Sequence, residues 1–98
     1  MPRTPEFHPE AQAEFEAAAD RYQTIRPSLG ASYVAEVEAA VERALRAPAT
    51  GAPLGPTLRR MFVRRFPYFV LYAADETRVF VLAVAHFRQR PGYWRHRR

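Results

Sequence analysis

Cysteine, lysine and asparagine are all missing from this 98-residue sequence. Without cysteine there is no disulfide framework and no thiolate zinc site; a reducing compartment fits that absence. Histidine occurs only at His8, His86 and His96, without metal-ligand spacing. Gly30, Gly51, Gly55 and Gly92 stand apart, so no glycine-rich loop can cradle a phosphate. Ser28 and Ser32 fall in a stretch that reads as helix, without the sharp turn that exposes a nucleophilic serine. A hydrolytic triad or a metalloenzyme is therefore disfavoured, and no cofactor is expected. The longest apolar run, residues 79–85, is too short to span a bilayer. No charged segment followed by an apolar one opens the chain, which predicts neither a signal peptide nor a membrane partner.

What is present is arginine, unevenly placed. All fifteen basic residues are Arg. Genome base composition is one explanation. The physical consequence is separate: a guanidinium meets carboxylate or phosphate with a planar fork, where an ammonium offers a point charge. Residues 1–46 hold five Arg and eight acids, net −3; residues 47–98 hold ten Arg and two acids, net +8. The second half implies an anionic partner, whether nucleic acid, ribosome or acidic peptide. Length predicts a single domain over residues 1–98, and an apolar fraction of 48% supports one packed core.

Hydrophobic spacing divides the chain into a helical half and a strand-rich half. Residues 3–7 read as a short first strand, with Pro5 marking an edge or an irregular start. Pro9 suits the first turn of a helix, and Ala11, Phe15, Ala18, Tyr22 and Ile25 form its apolar stripe. Pro27 breaks that helix at Arg26. Ser28 is expected to cap a second helix, whose stripe is Tyr33, Val34, Val37, Ala40, Val41, Ala44 and Leu45. Residues 49–56, rich in Gly and Pro, read as loop. Three antiparallel strands follow over 59–65, 68–73 and 78–87. The last is apolar on both faces and should lie inside the sheet. The expected fold is α+β with order β-α-α-β-β-β: a helical hairpin on one face of a mostly antiparallel sheet. The other face, the strand ends and the tail are left to the arginines.

The segment from His86 to Arg98, H-F-R-Q-R-P-G-Y-W-R-H-R-R, interleaves five Arg with aromatic rings and has no acid. Guanidinium forks bind phosphate and rings stack on bases, so it suits RNA or an acidic peptide. The alternative is a solvated tail, against which Tyr93 and Trp94 speak, since large rings usually bury. His86 ends the last strand; it reads as a general acid or base, or as a strand-terminal side chain holding a backbone carbonyl. Arg59, Arg60, Arg64 and Arg65 read as a phosphate clamp or as a docking patch. If the strand runs to residue 65, Arg60 and Arg64 share one face, with Arg59 and Arg65 on the other.

Five markers occur in order: F-H-P-E-A at Phe7; R-P-S-L-G at Arg26; P-x-x-G-x-P-L-G at Pro48; R-R-F-P-Y at Arg64, followed by L-Y; and V-A-H-x-R-x-R-P-x-Y-W at Val84. Together they resemble the ParE branch of the RelE/ParE toxin superfamily over nearly the whole chain. The resemblance implies a bacterial, cytoplasmic toxin of a type II toxin–antitoxin pair, bound by a cognate ParD-like antitoxin. It implies DNA gyrase as target, or alternatively the ribosome, with cleavage of mRNA. For partner binding the expected residues are Arg60, Arg64, Arg88, Arg90, Tyr93 and Trp94. For a nuclease they are Arg64, His86, Arg88 and Tyr93. RelE-type sites often include lysine, and this sequence departs from that pattern. Whether the protein is an enzyme stays open at this point.

Overall fold

The structure, a computed structural model, describes residues 2–97. Its elements are β1 (Thr4–Phe7), α1 (Pro9–Ile25), α2 (Pro27–Arg46), a short 3-10 turn (Pro48–Thr50), β2 (Ala52–Leu54), β3 (Leu58–Phe62), β4 (Tyr68–Ala74), β5 (Arg78–His86) and a second 3-10 turn (Arg95–Arg97). The sheet has five strands in the order β1-β5-β4-β3-β2. β1 runs parallel to β5, and all other pairings are antiparallel. As expected, β5 is an interior strand.

The helical hairpin turns on one residue. His8 caps α1 through Nδ1, which accepts from the Glu10 amide at 3.0 Å, and Pro9 takes the first helical position. Arg26 is extended, as a residue before proline must be, and both ends α1 and opens α2. Ser28 is not the cap expected for α2. Pro27 occupies the first turn, where its missing N–H costs nothing, and pushes Ser28 inside the helix. So sharp a reversal presses the helices together: a Cβ at Gly30 would come within 2.9 Å of the Gln23 Cβ.

Strand β2 replaces part of the expected loop. Its three residues pair with β3, and Pro53 is tolerated because β2 is the sheet's edge. Gly51 just before it has no room for a side chain, because the Tyr72 hydroxyl stands where a Cβ would go. That hydroxyl donates to the Pro48 carbonyl at 2.6 Å. β3 stops at Phe62, three residues earlier than expected. The Phe62 carbonyl accepts from Arg43 of α2 at 2.8 Å, and Arg65 takes a left-handed φ of 70° as the chain reverses.

Two cores form, one on each sheet face. Under the helices lie Tyr33, Val37, Ala40 and Ala44 against Val70, Tyr72, Val81 and Val84. The Tyr33 ring is surrounded by Phe15, Tyr22, Phe66 and Tyr68 at centroid distances of 5.2–6.0 Å. On the opposite face Leu58, Leu71, Leu82, Ala83 and Ala85 are covered by Trp94. The expectation that this face is left open for arginines is thus corrected in part: the tail folds back over it. A bulge helps. Leu71 pairs with Ala83 and Tyr72 with Val81, so Leu82 is the extra residue. Leu82 and Ala83 then both face the tail.

Candidate functional site

β1 is too short to cover all of β5. Its last rung is the His8 amide donating to the Val81 carbonyl at 2.9 Å. Beyond that point side chains satisfy the edge. The Leu82 carbonyl accepts from Arg97 at 3.2 Å, the Val84 amide donates to Glu14 at 3.0 Å, and the His86 amide donates to Gln89 at 2.9 Å. Glu14 is the hub. Its Oε2 also accepts from the Tyr93 hydroxyl at 2.7 Å, and the Arg97 fork meets both its oxygens at 2.8 and 2.9 Å. His96 and Arg97 reach Glu10 at 2.8 and 3.3 Å. The Glu14 hydrogen bonds raise the Arg97 pKa further, outweighing its desolvation. Burial first, and the Glu14 carboxylate after it, push the Tyr93 hydroxyl well above its ordinary range. The Tyr93 ring lies 5.0 Å from the Arg97 guanidinium. Tyr93 and Trp94, expected at a partner interface, are therefore turned inward; Trp94 is 8% exposed.

The other expected partner residues face outward. Arg60 lies on the sheet face away from the helices, its guanidinium 5.5 Å from the ring centres of both Phe62 and Phe69. Phe62, Phe69 and Phe87 form a ring cluster with centroids 6.0–6.3 Å apart. Phe62 and Phe87 are 47% and 53% exposed, an unusual position for such rings. Arg64 follows Phe62 by two residues, and Arg88 and Arg90 follow Phe87. All three are exposed and carry no ion pair among the described residues.

Arg60 and Arg64 do not share a face by strand alternation, because β3 ends before Arg64 is reached. Arg59 is fixed by the Ala49 and Gly51 carbonyls at 3.2 and 2.8 Å and holds the chain into β2. Arg65 lies 3.9 Å from Glu36. His86 holds a backbone amide, not the expected carbonyl: its Nδ1 accepts from Arg88 N–H at 3.0 Å. Its ring meets the edge of Tyr68 at 4.9 Å. No hydrogen bond between side chains and no ring contact joins Arg64, His86, Arg88 and Tyr93 among the described residues. Arg98 lies outside the described residues.

Sequence reading missed Glu14, Arg97 and the exposed phenylalanines. Glu14 was one of several acids near a helix start, where the dipole alone explains them. Phe62 and Phe87 carry an available signal: strand alternation puts them on the face of Leu58 and Ala85, at the sheet end the tail does not reach.

The family model described as "ParE toxin of type II toxin-antitoxin system, parDE" matches residues 6–91. Among solved structures, a chain of the "Chromosomal ParDE TA system from P. aeruginosa" superposes with a TM-score of 0.72 at 17% identity. The alignment covers 86% of this chain and 95% of that one, a likeness of fold. No curated protein matches.

Proposed function

Because the chain belongs to the ParE toxin family of type II toxin–antitoxin systems, we propose that it acts in the bacterial cytoplasm by binding DNA gyrase. In this reading it does no covalent chemistry of its own, and a cognate antitoxin neutralises it by covering the face it uses. One observation carries the reading: Phe62 and Phe87, packed with the half-buried Arg60 and the buried Phe69, are exposed, and Arg64, Arg88 and Arg90, which follow them closely in the chain, carry no ion pair among the described residues. Rings with unpaired guanidinium groups at their rim have the composition of a protein-binding hot spot. An acidic partner would gain both ring contact and charge-assisted hydrogen bonds there.

The same geometry does not bring the expected nuclease set, Arg64, His86, Arg88 and Tyr93, together. A nuclease needs an acid or base within hydrogen-bond reach of its phosphate clamp. Here the Tyr93 hydroxyl donates to Glu14, and the candidate side chains do not meet. The described helices include none long and apolar enough to cross a membrane. Controlled expression tests the reading. Double-strand DNA breaks and SOS induction with intact mRNA are expected; mRNA cut at codon boundaries without DNA damage would overturn it.

A further inference from the structure

We propose that the cleft between α1 and the end of β5 binds a phosphate group, held by Arg21, Tyr68, His86 and Gln89. The cleft has a volume of about 270 Å³ and lies on the helix side of the sheet, not on the face that carries Arg60. It therefore adds a second site to the partner face, and its test does not depend on the cellular target.

The case rests on which hydrogen-bonding groups are already occupied. One Arg21 Nη donates to the Tyr68 hydroxyl oxygen at 3.0 Å, and the rest of the fork has no partner among the described residues. Tyr68 is 4% exposed. Its oxygen takes the Arg21 hydrogen, and the Tyr22 hydroxyl lies beside it, so Tyr68 holds the Arg21 fork in the cleft. His86 accepts from the Arg88 amide at Nδ1, which places the ring proton of the neutral imidazole on Nε2. Gln89 accepts the His86 amide at Oε1, which leaves its amide hydrogens. Arg21, His86 and Gln89 thus bring a surplus of donors to one cleft, with the buried Tyr68 positioning the Arg21 fork. A ligand rich in acceptors would satisfy these donors together.

Glu14 also lines the cleft and is the one carboxylate that opposes an anion there. Both its oxygens are occupied, Oε1 by the Val84 amide and Arg97, Oε2 by Tyr93 and Arg97. The Arg97 guanidinium offsets its charge. Arg21 then gives the cleft its net sign. A phosphate presents more acceptor oxygens than a carboxylate, spread in three dimensions, and suits an arginine fork. Its source is either a terminal phosphate, free or on a nucleotide, or a phosphodiester within a strand.

The full chain, labelled with nitrogen-15, should be titrated with inorganic phosphate, thymidine monophosphate and a short single-stranded DNA lacking terminal phosphates. Expected are saturable shifts of the Arg21, Tyr68, His86 and Gln89 amides. Arg21→Gln should weaken binding at least tenfold, and Tyr68→Phe, which keeps the buried ring, should weaken it as well. Arg64→Gln, at a residue that does not line the cleft, should leave it unchanged. Tighter binding of the monophosphate assigns a terminal phosphate; tighter binding of the oligonucleotide assigns a strand phosphate. Shifts that do not saturate, or equal losses in Arg21→Gln and Arg64→Gln, would overturn the proposal, because generic attraction to a basic surface gives that result.

Discussion

Arg97 and Arg88 are nine residues apart in one basic tail, yet their surroundings are opposite. The Arg97 side chain is 6% exposed and grips Glu14 with its whole fork. Arg88 is exposed, and its guanidinium has no ion pair among the described residues. The difference lies in what is across the sheet edge. α1 runs along the uncovered part of β5 and brings Glu10 and Glu14 to the returning tail. At the other end of the sheet, the face carrying Phe62 and Phe87 has no helix over it, and the acids of α2 lie behind the sheet. Net charge alone therefore says little about a basic segment. The acids that reach it decide whether it is structure or surface.

Removing the ring that closes the second core should have the largest effect. Trp94→Ala leaves a cavity over Leu82 and Ala85 and should cost about 3–5 kcal/mol, read by urea unfolding. A loss below about 1 kcal/mol would mean the tail is not packed as described. Next comes Glu14→Gln, which strands a nearly buried guanidinium and should cost about 3 kcal/mol. Glu14→Gln combined with Arg97→Met should recover part of that loss; no recovery would show that the pair is not coupled. On the open side the prediction reverses. Phe87→Ser should change stability by no more than about 0.5 kcal/mol yet reduce killing and antitoxin affinity; an unstable but fully toxic variant would erase the distinction between the two regions.

The smallest effect is a dependence on acid. Desolvation alone would raise the Glu10 carboxyl, but His96 and Arg97 outweigh it and hold the group below its ordinary range. The stabilisation is present above the ordinary carboxylate pKa and lost as pH falls through the lowered value. Asp75 behaves alike: the Thr77 and Arg78 amides, with the Thr77 hydroxyl, hold its carboxyl down to about 2. Acid titration followed by Trp94 emission should show the tail loosening as pH falls below the ordinary carboxylate range, about pH 4.5. Glu10→Gln should flatten the tail's share and Asp75→Asn should not.

Most of the fold was legible, because spacing and proline act locally. The stripes of both helices, save Ile25, which is 70% exposed at the end of α1, the break at Pro27, the edge position of β1 and the three antiparallel strands all follow from periods of three to four or two and from fixed φ. Where signals competed, legibility failed. Gly51, Pro53 and Gly55 hid β2, since turn residues look the same at a sheet edge as in a loop. Ser28 looked like a cap because Pro27 was counted only as a breaker. Of the site, Arg64, Arg88 and Arg90 were named and stand exposed, Arg60 was named and is half-buried against Phe62 and Phe69, and Tyr93 and Trp94 were named and face inward.

By itself the sequence determined the layers: which residues form helices, which form strands, and that the second half carries the positive charge. Those are properties of neighbours in the chain. Only the tertiary structure decided which arginines are neutralised. That depended on β1 stopping at Phe7, on a bulge at Leu82, and on Glu14 meeting a tail 79 to 83 residues away. Coulomb and hydrogen-bond energies fall steeply with distance, and the distances between remote residues exist only once the chain has folded.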